Sequence, residues 1–274
     1  MTVAGSLTIV GCGLHPGHLT LEARSHIENA DIVLAVVPAP LSFYQLSQLN
    51  PRVESLSRFY DGRPRPETYA AMTARMVECV REGLTTCAVF YGHPGIFVTP
   101  THAAMRELKA AGHPARMLPG ISAEACLIAD IGVDPAEHGW QSYETTSFLL
   151  TQRFLNPEAA LVLWQVGLAG ELSLQRFVPG EHGLAALVRL LEQWYPADHR
   201  VCLYEAPLLP TFAPRTDWLE LAQLPDAPLK EYSTLFVPPL ARARLVEDRL
   251  AWLNADRAAL RPLTEVPMAT LSPE

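Results

Sequence analysis

The chain has 274 residues, of which 49% are hydrophobic and 18% are charged, a balance typical of a folded protein rather than a disordered one. Its 21 basic and 29 acidic residues give a formal net charge of −8, which argues against sequence-independent binding of nucleic acid. The length allows one large domain or two ordinary ones.

In the first half of the chain, segments with strand and helix patterns alternate. The predicted strands span residues 7–10, 31–37, 85–90 and 114–118, and helices are predicted at about residues 21–29, 66–82, 101–111 and up to about 130. The second of these helices begins at Pro66 and ends just before Gly83, which is where these residue types are expected. The alternation predicts a largely parallel sheet with helices on both faces.

The second half is less regular. Strands are predicted at residues 160–165, 200–204 and 234–237, an amphipathic helix at 184–195, a helical pattern at 240–253 and a loose Pro-rich end from 262. We place a boundary at Pro119-Gly120. The predicted organisation is therefore an N-terminal α/β lobe at 1–118, a C-terminal α/β lobe at 119–240, and a helical arm with a loose tail at 241–274.

Several function classes are not expected from the residue content. The five cysteines are scattered and form no CxxC pair, which predicts reduced thiols in a cytoplasmic protein. His15 and His18 stand three residues apart in a Pro-Gly loop without an acidic or thiol partner, so no metal site is expected. The first basic residue is Arg24, and the longest apolar run is broken by prolines, so neither a secretory signal nor a membrane span is expected.

A turn with the sequence Phe-Tyr-Gly-His-Pro-Gly, at residues 90–95, ends an apolar predicted strand and directs Tyr91 and His93 outward. Other segments that follow predicted strands are residues 11–13, 119–122, 165 and 204–206. Ligands collect beyond the carboxyl ends of strands in open α/β sheets, so these segments predict one ligand-binding edge. Taken alone, the turn at 90–95 fits equally well a connection whose glycines only satisfy backbone geometry.

The sequence lacks the motifs of several common enzyme classes. Gly11-Cys12-Gly13 does not continue as GxGxxG, no GxxxxGK[ST] segment exists, and Ser122 lacks the final glycine of a GxSxG elbow. No catalytic triad or pair of carboxylates emerges at the predicted edge. This pattern favours chemistry in which a cofactor supplies the reactive group and the protein positions it.

Arg65 and Tyr69 stand at i and i+4 of a predicted helix and therefore project from one face, with Tyr60 five residues before Arg65. A guanidinium group beside phenols favours the phenolate and stabilises an anion that develops nearby. The alternative is a surface arginine with a buried tyrosine, since Tyr69 also fits the apolar stripe of the helix.

Residues 9–20, IVGCGLHPGHLT, with residues 27–33, IENADIV, resemble the opening of the tetrapyrrole methylase superfamily. The resemblance implies an α/β fold of two lobes with S-adenosylmethionine (SAM) bound between them. The superfamily usually carries Gly-Asp-Pro where this chain has Gly92-His93-Pro94.

The segments FYD (59–61), RPETY (65–69), FYGHPG (90–95), MLPGISAE (117–124), LWQVG (163–167) and STLFVPP (233–239) resemble the borosin peptide backbone N-methyltransferases. The resemblance extends over roughly residues 6–240. It implies catalytic roles for Arg65, Tyr69, Tyr91 and Tyr60. The positions that it implies for SAM contact are Tyr91, His93, Ile96, Ser122, Gln165, Ala206, Ser233 and Thr234. Ser57 stands where some relatives have a further tyrosine.

The same resemblance implies a substrate. Fungal relatives carry their own substrate as a long C-terminal extension, whereas this chain ends shortly after Pro239, so we expect the split type, which methylates a separate precursor peptide iteratively. The expected product of the cofactor is S-adenosylhomocysteine, and the expected assembly is a homodimer or a heterotetramer with the precursor. No nucleic acid or membrane partner is expected. A self-modified C-terminal tail is an alternative.

Arg65 and Tyr69 are the expected groups for charge stabilisation and proton transfer, with Tyr91 orienting the amide and the methyl donor; which tyrosine acts as the base stays open. The alternative enzyme function is methylation of a small-molecule tetrapyrrole, and a ribose methyltransferase acting on RNA fits the acidic charge less well. A non-catalytic SAM-binding partner is the alternative from a different class.

Overall fold

A computed structural model describes residues 5–37, 39–242, 246 and 248–254. The described chain forms two compact units. The first unit comprises Met1–Asp130, Ser173–Arg176 and Ala206–Arg215, and the second comprises Ile131–Leu172, Phe177–Glu205 and Thr216–Glu274. Residues 119–130 make their contacts within the first unit, so they lie on the other side of the boundary that the sequence predicted at Pro119-Gly120.

The first unit contains a parallel sheet of five strands in the order β3-β2-β4-β1-β5. The strands are β1 (Ser6–Gly11), β2 (Ile32–Val36), β3 (Val53–Ser55), β4 (Thr85–Phe90) and β5 (Ala115–Met117). The helices are α1 (Leu21–Glu28), α2 (Pro40–Leu49), α3 (Arg65–Arg81), α4 (Thr99–Ala110) and α5 (Ala123–Ile131). The predicted parallel α/β architecture is confirmed here, while α2 and the short strand β3 were not predicted.

Helices cover both faces of this sheet because both faces are apolar. Successive strand residues point to opposite faces, so Ile9 belongs to one core cluster with Met72 of α3, and Val10 belongs to another with Ile27 of α1. Such continuous burial is typical of parallel sheets. Asn50 ties the second layer together, since its amide nitrogen donates to the Ile27 and Ala30 carbonyls, each at 2.8 Å.

The second unit contains a mixed sheet of five strands in the order β6-β7-β10-β8-β9. Its strands are β6 (Trp140–Glu144), β7 (Ala160–Trp164), β8 (Arg200–Glu205), β9 (Arg215–Glu220) and β10 (Thr234–Val237). Its helices are α6 (Pro135–His138), α7 (Thr145–Leu150), α8 (Gly183–Leu191) and α9 (Asp248–Trp252). Strand β10 runs antiparallel to both β7 and β8, and β6 runs parallel to β7.

Three strands of the second unit are confirmed near their predicted positions, at β7, β8 and β10. Helix α8 ends at Leu191, four residues before the predicted end, and within the described part of 240–253 only α9 is helical. The predicted Pro-rich tail at 262–274 lies outside the described residues. No helix in the part of the chain that the structure describes is long and apolar enough to cross a membrane.

Candidate functional site

Three glycines bring the carboxyl ends of β1, β4 and β5 into close contact in the first unit. A Cβ atom on Gly11 would lie 2.4 Å from the Gly92 carbonyl oxygen, and one on Gly120 would lie 2.7 Å from the same oxygen. Gly92 has a φ of +65° and donates its N–H to the Gly13 carbonyl at 2.8 Å. This edge of the sheet is therefore lined by backbone, where no larger residue fits at Gly11 or Gly120.

Tyr91 leaves the end of β4 at this edge. Its N–H donates to the Val36 carbonyl at 3.0 Å, which fixes the backbone, while its side chain is 48% exposed. Ile96, in the same loop, is also exposed, and its N–H donates to the His93 carbonyl at 3.2 Å. The loop thus holds a rigid backbone and presents an aromatic and an aliphatic side chain to solvent.

The structure assigns His93 a neutral imidazole. Its Nδ1 accepts the N–H of Gly95 at 3.0 Å, a contact that requires Nδ1 to be unprotonated. Burial lowers the pKa of His93 below its ordinary value, and His102 lowers it further. A neutral hydrogen-bonding ring therefore stands where the superfamily usually has an acidic side chain.

The four residues predicted to be catalytic meet in the first unit. Burial raises the pKa of Tyr60, and the nearby Tyr69 and Tyr91 raise it further, while Arg65 opposes the shift. Tyr60 is also hydrogen-bonded to Tyr69, and this bond raises the pKa of Tyr60 further. Three phenols and one guanidinium therefore form a single electrostatic cluster, called here the phenol cluster.

The beginning of α3 positions Arg65 and Tyr69 in the phenol cluster. The Arg65 N–H donates to the Leu174 carbonyl at 3.0 Å, and the buried Thr68 hydroxyl donates to the Phe59 carbonyl at 3.3 Å, next to Tyr60. Tyr69 is half-buried and its ring packs against the core of the first unit. The ring of Tyr69 therefore belongs to the core stripe, and the same residue also lies beside Tyr60 in the phenol cluster.

The remaining predicted residues of the first unit have simpler surroundings. Ser122 precedes α5, and its hydroxyl accepts the Ala125 N–H at 3.1 Å as a helix cap. Ala206 is half-buried, directly after β8. Ser57 lies in the 3-10 helix Leu56–Phe59, directly before Tyr60.

The predicted cofactor residues of the second unit meet at one edge of its own sheet. Gln165 follows β7 with a φ of +57°, and the next N–H, that of Val166, donates to the Ser233 carbonyl at 2.9 Å. Ser233 and Thr234 are buried at the start of β10, where Thr234 pairs with Tyr204 of β8. The left-handed conformation of Gln165, uncommon for a residue with a side chain, marks a tightly constrained turn.

Two residues at this second edge, Glu205 and Lys230, were assigned no role from the sequence, although Glu205 lies within the predicted segment 204–206. Glu205 ends β8 and is 6% exposed, and its carboxylate accepts the Ser233 hydroxyl at 2.6 Å and the Lys230 ammonium at 2.8 Å. The available signal was an acidic residue at the end of an apolar strand, directly before Ala206. Among the described residues, no group of three or more His, Cys, Asp or Glu side chains is placed to hold a metal ion.

Comparison with known proteins gives the context of this site. A family model described as tetrapyrrole (corrin/porphyrin) methylases matches residues 6–206. The chain is 42% identical over 244 residues to the methyltransferase/ribosomally synthesized cyclic peptide gymnopeptides precursor of Gymnopus fusipes, a match that covers 86% of this chain and 58% of the relative. It is 42% identical over 249 residues to the corresponding omphalotin A precursor of Omphalotus olearius, a match that covers 88% of this chain and 59% of the relative.

Other relatives are described as type I, type II and type III borosin cyclic peptide precursors. The chain thus spans less than two thirds of the length of these relatives. In fold, it is similar to the crystal structure of uroporphyrin-III-C-methyltransferase from Thermus thermophilus, with a TM-score of 0.63 and 21% identity, covering 86% of this chain and 93% of that one. The two resemblances indicated by the sequence motifs are confirmed: the chain belongs to the tetrapyrrole methylase family and is similar to borosin methyltransferase–precursor proteins.

Proposed function

We propose that this methylase-family chain transfers methyl groups from SAM to backbone amide nitrogens of a peptide, iteratively, and releases S-adenosylhomocysteine. The observation that carries the proposal is the phenol cluster, which joins Tyr60, Tyr69, Tyr91 and Arg65. The descriptions of the relatives, which combine a methyltransferase with a cyclic peptide precursor, support a peptide as the substrate.

The residues present fit SAM as the cofactor. In the first unit, the edge at Gly11, Gly92 and Gly120 is backbone-lined, so an extended ligand can approach the main chain closely. The imidazole of His93 is neutral and therefore does not repel a sulfonium cation. The residues proposed to hold SAM are Tyr91, His93, Ile96, Ser122 and Ala206, together with Gln165, Ser233 and Thr234 of the second unit. When bound, SAM supplies an electrophilic methyl group.

A backbone amide nitrogen is a poor nucleophile because its lone pair is delocalised into the carbonyl group. Its methylation therefore requires removal of the N–H proton and stabilisation of negative charge on the carbonyl oxygen. The guanidinium of Arg65 carries a permanent positive charge and donates in a fixed geometry, so it is suited to stabilise that oxygen.

Two tyrosines of the phenol cluster are assigned different roles in this proposal. Tyr60 has a raised pKa, so it keeps its proton. Tyr69, which stands four residues after Arg65 on the same face of α3, is assigned the role of the base. In the proposed step, the ionised oxygen of Tyr69 would take the amide proton, and the amide nitrogen would take the methyl group that bound SAM would supply.

We further propose that the peptide is supplied by a separate chain. The first test incubates the purified protein and SAM with the small protein encoded beside its gene, followed by tandem mass spectrometry. The expected result is a series of CH₂ additions on residues such as glycine, alanine or valine, whose side chains have no nucleophile, so that only the backbone nitrogen can carry the methyl group. Methyl groups confined to nucleophilic side chains would overturn the peptide-backbone proposal.

A parallel reaction without the small protein tests where the peptide resides. An unchanged mass of the 274-residue chain is expected. Methylation of the chain itself would replace supply from a separate chain by self-modification and leave the amide chemistry in place. SAM binding without methylation of either protein would favour a non-catalytic SAM-binding partner.

Methylation of a small tetrapyrrole is the second candidate function, favoured by the fold similarity to a uroporphyrin-III methyltransferase. It is tested by incubating the protein and SAM with uroporphyrinogen III and analysing the pigment by mass spectrometry. Methylation of the macrocycle, with no methylation of the peptide, would select this function.

A further inference from the structure

A buried carboxylate organises the edge of the second unit that contains Gln165, Ser233 and Thr234. Glu205 accepts the hydroxyl proton of Ser233 at 2.6 Å and a proton of the Lys230 ammonium at 2.8 Å. Glu205 is 6% exposed and Ser233 is fully buried, so the bond between them is shielded from water. Hydrogen bonds to an ionised group in such surroundings are stronger than those between neutral groups.

The hydroxyl proton of Ser233 is engaged within the protein. The hydroxyl donates this single proton to Glu205 and accepts the backbone N–H of Lys230 at 2.9 Å. The Ser233 carbonyl accepts the N–H of Val166 at 2.9 Å, and the Ser233 N–H donates to the Lys230 carbonyl at 3.0 Å. The contribution of Ser233 to a ligand site is therefore to hold the backbone in place rather than to donate its hydroxyl proton.

These bonds connect the three segments that form the edge. The Ser233–Val166 bond fixes the turn at Gln165. Gly167 lies so close to the loop that a Cβ atom on it would be 1.9 Å from the Lys230 carbonyl oxygen. Glu205 itself is the residue directly before Ala206. One carboxylate thus braces the loop at 230–233, the turn after β7 and the end of β8.

We propose that Glu205 is a positioning residue for the methyl donor: it touches no part of SAM and sets the affinity for SAM by holding Ser233 and the adjoining turn at Gln165 in their binding geometry. This inference rests on the proposed function, because it takes SAM as the ligand of this edge. It adds a residue that acts through others to the residues proposed to contact SAM.

The test compares Glu205→Gln with Glu231→Gln. The second substitution removes the same charge from an exposed side chain in the loop at 230–233. SAM dissociation constants are measured by calorimetry on the purified full-length proteins, with thermal unfolding recorded for each. We expect Glu205→Gln to weaken SAM binding about tenfold, the effect of replacing a charge-assisted hydrogen bond by a neutral one, and Glu231→Gln to change it by less than about twofold. Equal affinity of Glu205→Gln and the wild type would overturn the proposal.

Steady-state kinetics separate positioning from simple loss of folded protein. Positioning predicts a raised KM for SAM with kcat at saturating SAM retained, whereas partial unfolding lowers kcat and leaves KM unchanged. Ser233→Ala provides a second variant, and it carries the test if Glu205→Gln does not fold. We expect Ser233→Ala to weaken SAM binding as well, and the double variant to add little, because both substitutions act on the same contact: glutamine at position 205 keeps only a neutral acceptor, and alanine at position 233 removes the donor. Additive effects would contradict the shared role.

The calorimetry also distinguishes the two proposals from each other. If the wild type binds SAM but methylates no peptide, the proposed function fails while the binding comparison still decides the role of Glu205. If the wild type does not bind SAM, both proposals fall.

Discussion

The sheet edges of the two units differ in what they do with their polar side chains. In the first unit, Tyr60 and Tyr91 are about half exposed, and the backbone beside them is bare because glycines line it. In the second unit, Ser233, Thr234 and Glu205 are buried, and Ser233 and Glu205 bond to each other. The first edge keeps reactive groups accessible, while the second uses its polar groups to hold a backbone shape. Polar residues at strand ends therefore do not all serve as ligand contacts.

The largest effect is expected from the phenol cluster. Tyr69→Phe removes the proposed base and is expected to lower kcat about 100-fold or more, whereas Tyr60→Phe removes only its supporting hydrogen bond and is expected to lower kcat about tenfold. SAM affinity, measured by calorimetry, is the control and is expected to be unchanged in both variants. A larger loss of kcat in Tyr60→Phe would assign the proton transfer to Tyr60.

Replacing a glycine that lines the first edge is expected to have the next largest effect, and this effect is on stability. Gly11→Ala places a Cβ atom 2.4 Å from the Gly92 carbonyl oxygen and is expected to lower the free energy of unfolding by about 3 kcal/mol. Gly112→Ala is the matched control, because Gly112 has a φ of +80° and open space around it, so only backbone strain of about 1 kcal/mol is expected. Urea denaturation measures both. Equal losses would mean that the close approach at Gly11 is relieved by small backbone shifts.

A smaller effect is expected from acid, and it concerns the first edge. His18 and His93 both accept backbone N–H groups through Nδ1, from Leu14 at 3.2 Å and from Gly95 at 3.0 Å. Burial lowers the pKa of both histidines, with His15 adding to the effect at His18 and Asp130 opposing it, and with His102 adding to it at His93. Since the unfolded chain then binds protons more readily, the free energy of unfolding falls as the pH drops below about 6.5 and levels off once the folded-state imidazoles are protonated.

His93→Asn tests this pH dependence, because asparagine keeps an acceptor atom near Nδ1 and does not titrate. We expect a flatter profile of unfolding free energy against pH than in the wild type. His182→Asn, which replaces an exposed histidine of the second unit, is measured alongside as the control for the substitution itself. An unchanged profile in His93→Asn would contradict the requirement for a neutral His93.

The smallest effect is expected in the core of the second unit. The Tyr195 hydroxyl is buried without a hydrogen-bond partner among the described residues, and burial raises the pKa of Tyr195 to about 12. Tyr195→Phe removes this uncompensated polar group and is expected to raise the free energy of unfolding by up to about 1 kcal/mol, with methyl transfer unchanged. A clear loss of stability in thermal unfolding would show that the hydroxyl is bonded in solution.

The elements predicted correctly are those with strong local patterns. Strand β4 is a buried apolar run that ends in a glycine turn, and α3 has proline at its start and glycine after its end. Three edge strands were not predicted. Strand β3 has only three residues, and β6 and β9 contain half-exposed polar residues. Edge strands have weak hydrophobic alternation because only part of their surface is buried, so their sequence signal is weak.

The sequence by itself determined the α/β class, the family resemblance and the placement of Arg65 and Tyr69 on one helix face, because each depends on spacing along one element or on contiguous motifs. Only the tertiary structure decided that Tyr60 is hydrogen-bonded to Tyr69, that Gly11, Gly92 and Gly120 meet, and that Glu205 bonds to Ser233. These contacts join residues from different strands and loops. Their geometry depends on strand order and loop path, which the spacing of residues along the chain does not specify.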